Sequence, residues 1–148
     1  MGLSNYLTKD GKLTHMLKLE DTQGGIAGFT GTARIIEPSG EWRTERIPPD
    51  ELLSKGKLTT NQLVALAHQL DALDLLNLPN ELGETPQANP HILDISFGDK
   101  GSSLSVRPGD LRELVPPPED HEAAAVARFI ALKLVIEFWT KGEEQRTP

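Results

Sequence analysis

His91-Ile-Leu-Asp-Ile-Ser-Phe-Gly-Asp-Lys-Gly-Ser-Ser-Leu-Ser-Val-Arg107 holds two alternating runs around a turn. Leu93, Ile95 and Phe97 project to one side of an extended chain, and Leu104 and Val106 meet them from the second run, Ser102 to Arg107. Gly98-Asp-Lys-Gly101 is turn chemistry, so the stretch predicts a β-hairpin with one covered face. Asp94 and Ser96 then belong to its polar face.

The same period recurs upstream. From Leu13 to Glu20, Leu13, His15, Leu17 and Leu19 share one side, which predicts a half-buried strand. A loop at 21–25 leads to a second strand over about 27–37, with Ala27, Phe29, Ala33 and Ile35 on one face and Gly31 leaving a gap among them. Pro38-Ser-Gly40 turns the chain into a third run, where Trp42, Thr44 and Arg46 alternate with Glu41, Arg43 and Glu45. Pro48 and Pro49 end that strand, and 50–57 reads as a connector with at most one helical turn.

Two helices complete the pattern. Leu63, Leu66, Ala67, Leu70 and Leu73 recur at three- and four-residue spacing behind a capping Thr59 or Thr60, predicting a helix that runs to about Leu76. A final helix is expected from about Glu119 to Lys141, its acidic start at Glu119, Asp120 and Glu122 complementing the helix dipole. Only Arg128, Lys133 and Glu137 are charged between Ala123 and Trp139, so this helix is expected to be covered on most sides, either within the fold or by a second chain. Phe129, Leu132, Val135, Ile136 and Trp139 are the residues through which it would assemble. The order β-β-β-α-β-β-α predicts an α+β fold, a mainly antiparallel sheet of about five strands packed on two helices. A single domain is expected over residues 1–148, with 1–12 and 143–148 flexible.

Composition narrows the function. A formal net charge of −7 repels phosphate backbones and anionic lipid, so neither nucleic acid nor membrane is expected as a partner. No cysteine is present, which removes disulfides, thiolate metal sites and thiol nucleophiles. The four histidines show no metal-ligand spacing, and His91 and Asp94, three apart on a strand, point to opposite faces. No G-x-S-x-G elbow or dinucleotide-binding glycine fingerprint occurs in a fitting context. The expectation is therefore a non-enzymatic protein with no cofactor, metal or catalytic residue; the weaker enzymatic reading rests on Asp94 or the histidines. The first residues lack the apolar run of a secretory signal, which makes cytoplasmic the default location.

Two segments suit contact with a partner. Gly24-Gly25-Ile26-Ala27-Gly28-Phe29 carries glycines that allow close approach, although the same glycines also suit a turn, a bulge or tight strand packing. Asn80 to Pro90 is a long loop without periodicity. Gly24-Gly25-Ile26-Ala27-Gly28 after a strand, Leu58-Thr-Thr-Asn-Gln-Leu63 opening a leucine-rich helix, Leu75-Leu-Asn-Leu-Pro79 closing it, and the strand with Asp94 together resemble the emfourin-type proteins, small inhibitors of thermolysin-like metallopeptidases of the protealysin group. The resemblance spans roughly Leu13 to Leu111, and this chain departs from it by inserting Glu37 to Lys57 and by adding the long apolar final helix. It implies a protein that blocks a protease cleft with exposed loops, and it marks Gly24, Gly25, Ile26, Gly28, Phe29, Asn80, Glu84 and Asn89 as contact residues. Assembly of a structural or regulatory subunit through the final helix, as a homodimer or with another chain, is the alternative.

Overall fold

The computed structural model describes residues 2–24, 30–47, 51–83, 91–106 and 121–141. Seven strands are defined: β1 (Leu17–Gln23), β2 (Thr30–Ile36), β3 (Glu41–Ile47), β4 (Glu51–Lys57), β5 (Glu81–Gly83), β6 (His91–Phe97) and β7 (Lys100–Val106). They form one sheet in the order β4-β3-β2-β1-β6-β7-β5. Every neighbouring pair is antiparallel except the short β5, which lies parallel to β7. The fold is thus α+β, with a mixed seven-stranded sheet in place of the expected five antiparallel strands.

The two additional strands have different causes. Glu51–Lys57 was expected to be a connector, but it is the edge strand β4, and its alternation is broken where the register slips: Thr44 pairs with Ser54 while Glu45 pairs with Leu52, leaving Leu53 without a partner. β5 is only three residues long and owes its extended form to docking. Ser102 Oγ donates to the Pro79 carbonyl at 2.6 Å, the Ser103 N–H donates to the Asn80 carbonyl at 2.8 Å, and Lys100 Nζ donates to the Leu78 carbonyl.

Both helices, α1 (Thr60–Ala72) and α2 (His121–Trp139), cover the same face of the sheet. Leu17 and Leu19 of β1, Ile36 of β2, Trp42 of β3 and Leu93, Ile95 and Phe97 of β6 meet Leu63, Leu66 and Leu70 of α1 and Phe129, Leu132 and Ile136 of α2 in one buried cluster. Full burial of each such side chain contributes roughly 1.5–3 kcal/mol before entropy is counted. α1 begins with a complete capping box: Gln62 N–H donates to Thr59 Oγ1 at 3.1 Å and Thr59 N–H donates to Gln62 Oε1 at 2.8 Å. It stops earlier than the expected Leu76, because Asp74 takes a left-handed conformation (φ 54) and a short 3-10 turn, Leu75–Asn77, follows. Arg128 of α2 closes that end, donating to the carbonyls of Leu73 at 3.0 Å and Asp74 at 2.9 Å.

α2 is not enclosed as its composition led us to expect. Phe129, Leu132 and Ile136 are 0% exposed against the sheet, whereas Leu134 and Phe138 on the opposite side are 58% and 59% exposed. The helix is apolar all round but is covered on one side only. Its C-terminus is held over β2 by Arg34, whose guanidinium donates to Thr140 Oγ1 at 3.0 Å and to the Thr140 carbonyl at 3.1 Å, a cation at the negative end of the helix.

The amino-terminal segment, expected to be flexible, packs against the core. Tyr6 is 2% exposed, lies 5.6 Å from the Phe97 ring, and accepts the Leu76 N–H at 3.2 Å, while Leu7 and Leu13 form an isolated bridge. The first regular strand accordingly starts at Leu17, not Leu13, although Leu13 is buried in the expected phase. The tail 143–148 and the segment Val115–Pro118 lie outside the described residues.

Candidate functional site

Strand register brings the two suggested contact segments to one place. Gln23 pairs with both Thr30 and His91, His91 with Val106, and Gly31 with Ile47, while Gly83 pairs with Ser105. The strand ends that flank residues 25–29, 48–50 and 84–90 therefore all lie at the same end of the sheet. A rigid sheet ending in several connections at one end is a common arrangement for recognition, since the loops vary while the strands fix their bases.

A hydrogen-bonded histidine–carboxylate contact marks this end on the helix-covered face. His91 Nε2 sits 2.6 Å from Asp21 Oδ1, and the His91 side chain is largely buried. Asp21 follows Leu17 and Leu19 in the alternation of β1, and His91 precedes Leu93 in that of β6, so both project to one face. Thr22 Oγ1 donates across the same pair of strands to the Ile92 carbonyl at 3.4 Å. A side chain on Gly31 would overlap the Asp21 carbonyl oxygen, so this glycine lets β2 approach β1 just where the glycine-rich segment joins the sheet.

Of the residues marked from the sequence, Gly24 stands at the end of β1, half-buried. Gly25, Ile26, Gly28, Phe29, Glu84 and Asn89 lie outside the described residues. Asn80 is not brought to this end: it precedes β5, its carbonyl is held by Ser103, and its side chain accepts from Lys100 at 3.3 Å. On α2, Phe129, Leu132 and Ile136 are core residues and Val135 and Trp139 are half-buried, the latter donating from Nε1 to Gln69 Oε1 at 2.7 Å. The exposed large side chains of α2 are Leu134 and Phe138 instead.

Asp94 and Ser96 lie on the helix-free face, opposite in direction to His91. There Lys18, Glu20, Asp94 and Ser103 line a shallow open cleft of about 220 Å³. Glu20 is directly across from Asp94, but each carboxylate has its own partner: Lys18 Nζ lies 2.9 Å from Glu20, and Ser103 Oγ donates to Asp94. Among the described residues lining that cleft there is no imidazole to act as the base that activates a serine nucleophile. Among the described residues, no three of His, Asp and Glu gather to hold a metal ion, and no helix is long and apolar enough to cross a membrane.

Sequence reasoning missed three features. The Asp21–His91 pair was legible only as matching phases, because the register that joins residues 70 apart is not written locally. The exposed edge of β4, with Leu52 53% and Leu53 44% exposed, was hidden by its broken alternation. The open side of α2 was hidden by the uniform apolarity of the helix. No protein-family model matches the chain, and no curated protein matches it in sequence.

Proposed function

We propose that this chain is a non-catalytic protein-binding domain that presents the connections at one end of its sheet to a partner, and that this partner is a thermolysin-like metallopeptidase which it blocks. The observation that carries the reading is the pairing of Gln23 with His91: it sets the base of the glycine-rich segment beside the base of residues 84–90. The resemblance to emfourin-type inhibitors marks those same two segments. The Asp21–His91 pair stiffens their shared base, and a pre-ordered base lowers the entropy lost on binding.

Titrating a thermolysin-like peptidase with the purified chain tests this. Stoichiometric loss of peptidase activity is expected, with weaker inhibition by Asp21→Asn. Unchanged activity at a hundredfold molar excess removes the inhibitor reading.

A second reading, assembly through α2, has its own observation. Ala124, Ala127, Ala131, Leu134 and Phe138 follow one another at spacings of three, four, three and four along the side of the helix away from the sheet; all are exposed except the half-buried Ala131. That spacing suits the seam of a two-helix contact. Small residues at one end and large ones at the other suit an antiparallel copy of the same helix. Light scattering checks it: a dimer that becomes monomeric on Phe138→Glu supports the reading, and a monomer at 0.1 mM refutes it.

A further inference from the structure

The outer edge of β4 is a second surface, independent of the loop-bearing end. β4 pairs with β3 on one side, and among the described residues no strand lies on its other side. Such an edge offers unpaired backbone N–H and C=O groups, which a partner uses by adding a strand. Most exposed edges are defended by polar side chains. This one exposes Leu52 and Leu53 beside an open groove of about 570 Å³ lined by Trp42, Arg43, Leu52, Lys55 and Gly56.

The strand behind the groove is anchored from the helix-covered face. Trp42 is 2% exposed and lies directly across from Gly56, where any side chain would come within 2.5–2.6 Å of the indole. Its Nε1 is buried and has no hydrogen-bond partner among the described residues.

Charge specifies the partner. Lys55 and Lys57 alternate on the strand and face the same side as Arg43 and Glu41. Both are exposed and, among the described residues, neither forms an ion pair, whereas Lys18, Arg43, Arg46 and Lys133 all do. Arg43 is occupied by Glu37 at 2.9 Å and Glu45 at 2.8 Å, and these acceptors hold its guanidinium above the usual value. Two lysines two residues apart, unpaired among the described residues, thus stand on the edge of a chain whose net charge is −7.

A second copy of β4 is the wrong occupant. Antiparallel self-pairing centred on Lys55 or Gly56 sets lysine against lysine, which is unfavourable directly across strands. Centring on Ser54 matches Lys57 with Glu51, but the bulge puts those two side chains on opposite faces of the strand.

We propose that the β4 edge receives an extended segment of another protein whose carboxylates stand at alternate positions, Asp/Glu-x-Asp/Glu, opposite Lys55 and Lys57, with an apolar residue beyond them against Leu52. The strand supplies affinity through its backbone, and the two lysines select acidic over basic segments.

A fluorescein-labelled seven-residue peptide alternating valine and glutamate is the probe, with the valine–lysine peptide as control, read by anisotropy. The glutamate peptide is expected to bind about tenfold or more tightly than the lysine peptide, to lose that preference in Lys55→Glu/Lys57→Glu, and to weaken as salt rises. Backbone amides of β4 should gain exchange protection when it binds. The double variant changes only exposed side chains, and an unchanged melting temperature shows that it folds. Equal binding of the two peptides, no binding up to 1 mM, or binding indifferent to the double variant overturns the proposal. None of these outcomes depends on the peptidase titration.

Discussion

Phe129 and Phe138 lie nine residues apart on α2, two and a half turns, and so project from opposite sides of it. Phe129 is 0% exposed and Phe138 is 59% exposed. Replacing Phe129 by alanine removes a fully buried ring from the core cluster, for which the loss is about 3–5 kcal/mol once the residual cavity is included. Phe138 has about two-fifths of its surface covered; with roughly 200 Å² for a whole phenylalanine and about 25 cal/mol per Å², the most it contributes is ~2 kcal/mol. Part of that cover is its own helix and the Trp139 ring at 5.0 Å, and alanine returns about 0.5 kcal/mol of helix propensity, so the expected loss is under ~1.5 kcal/mol. At roughly 2–4 °C per kcal/mol for a chain of this size, thermal unfolding should fall by about 10 °C for Phe129→Ala and by at most a few degrees for Phe138→Ala. Differential scanning calorimetry with urea unfolding as a second measure decides it. Equal losses, or a larger loss at Phe138, refute the orientation of α2 on the sheet and with it the assignment of Leu134 and Phe138 to an open surface.

Three further outcomes follow from the same packing. Gly31→Ala forces its methyl onto the Asp21 carbonyl, so β1 and β2 must separate; a loss of about 1–3 kcal/mol is expected in urea unfolding, with weakened exchange protection at Gln23 and Thr30. Tyr6→Phe leaves the Leu76 N–H without its acceptor and costs about 1–3 kcal/mol. Burial raises the Tyr6 phenol above its usual value of 10.0, so the folded group titrates later than the unfolded one; its contribution is intact below about pH 10 and is lost as pH rises through the folded value, an alkaline slope that Tyr6→Phe should remove. Thr59→Ala dismantles the capping box of α1 and costs about 1 kcal/mol, measured by the same unfolding.

How much of this was legible depends on whether the pattern that specifies an element is local. The hairpin of β6 and β7 was legible because its turn and its alternation occupy adjacent residues; the structure moves only the start of the second strand, to Lys100, leaving Gly98 at φ +60 and Asp99 to make the turn. α1 was legible because its leucines repeat at helical spacing and its cap precedes them. β4 was not, for a physical reason: Glu51-Leu-Leu-Ser-Lys-Gly-Lys57 pairs with β3 through a bulge, which shifts the phase between Leu52 and Ser54, and Gly56 stands where Trp42 needs room. Each departure from alternation is required by a partner on the neighbouring strand, not by adjacent residues.

The candidate site shows the same limit more sharply. Asp21 and His91 each obey the phase of their own strand, yet whether they meet depends on β6 pairing with β1 instead of with an outer strand. That choice rests on the whole core: Leu17 opposite Phe97 and Leu19 opposite Ile95 bury four side chains under both helices only in this register. A slip of one residue would turn His91 to the helix-free face and expose Phe97. The pairing that joins the bases of the two connections is therefore fixed by apolar burial elsewhere in the sheet, not by any polar attraction at the site. A substitution in the core at Ile95 or Leu19 should then disturb the loop-bearing end as surely as one at His91, and a partner that binds there reports on the register of β1 and β6.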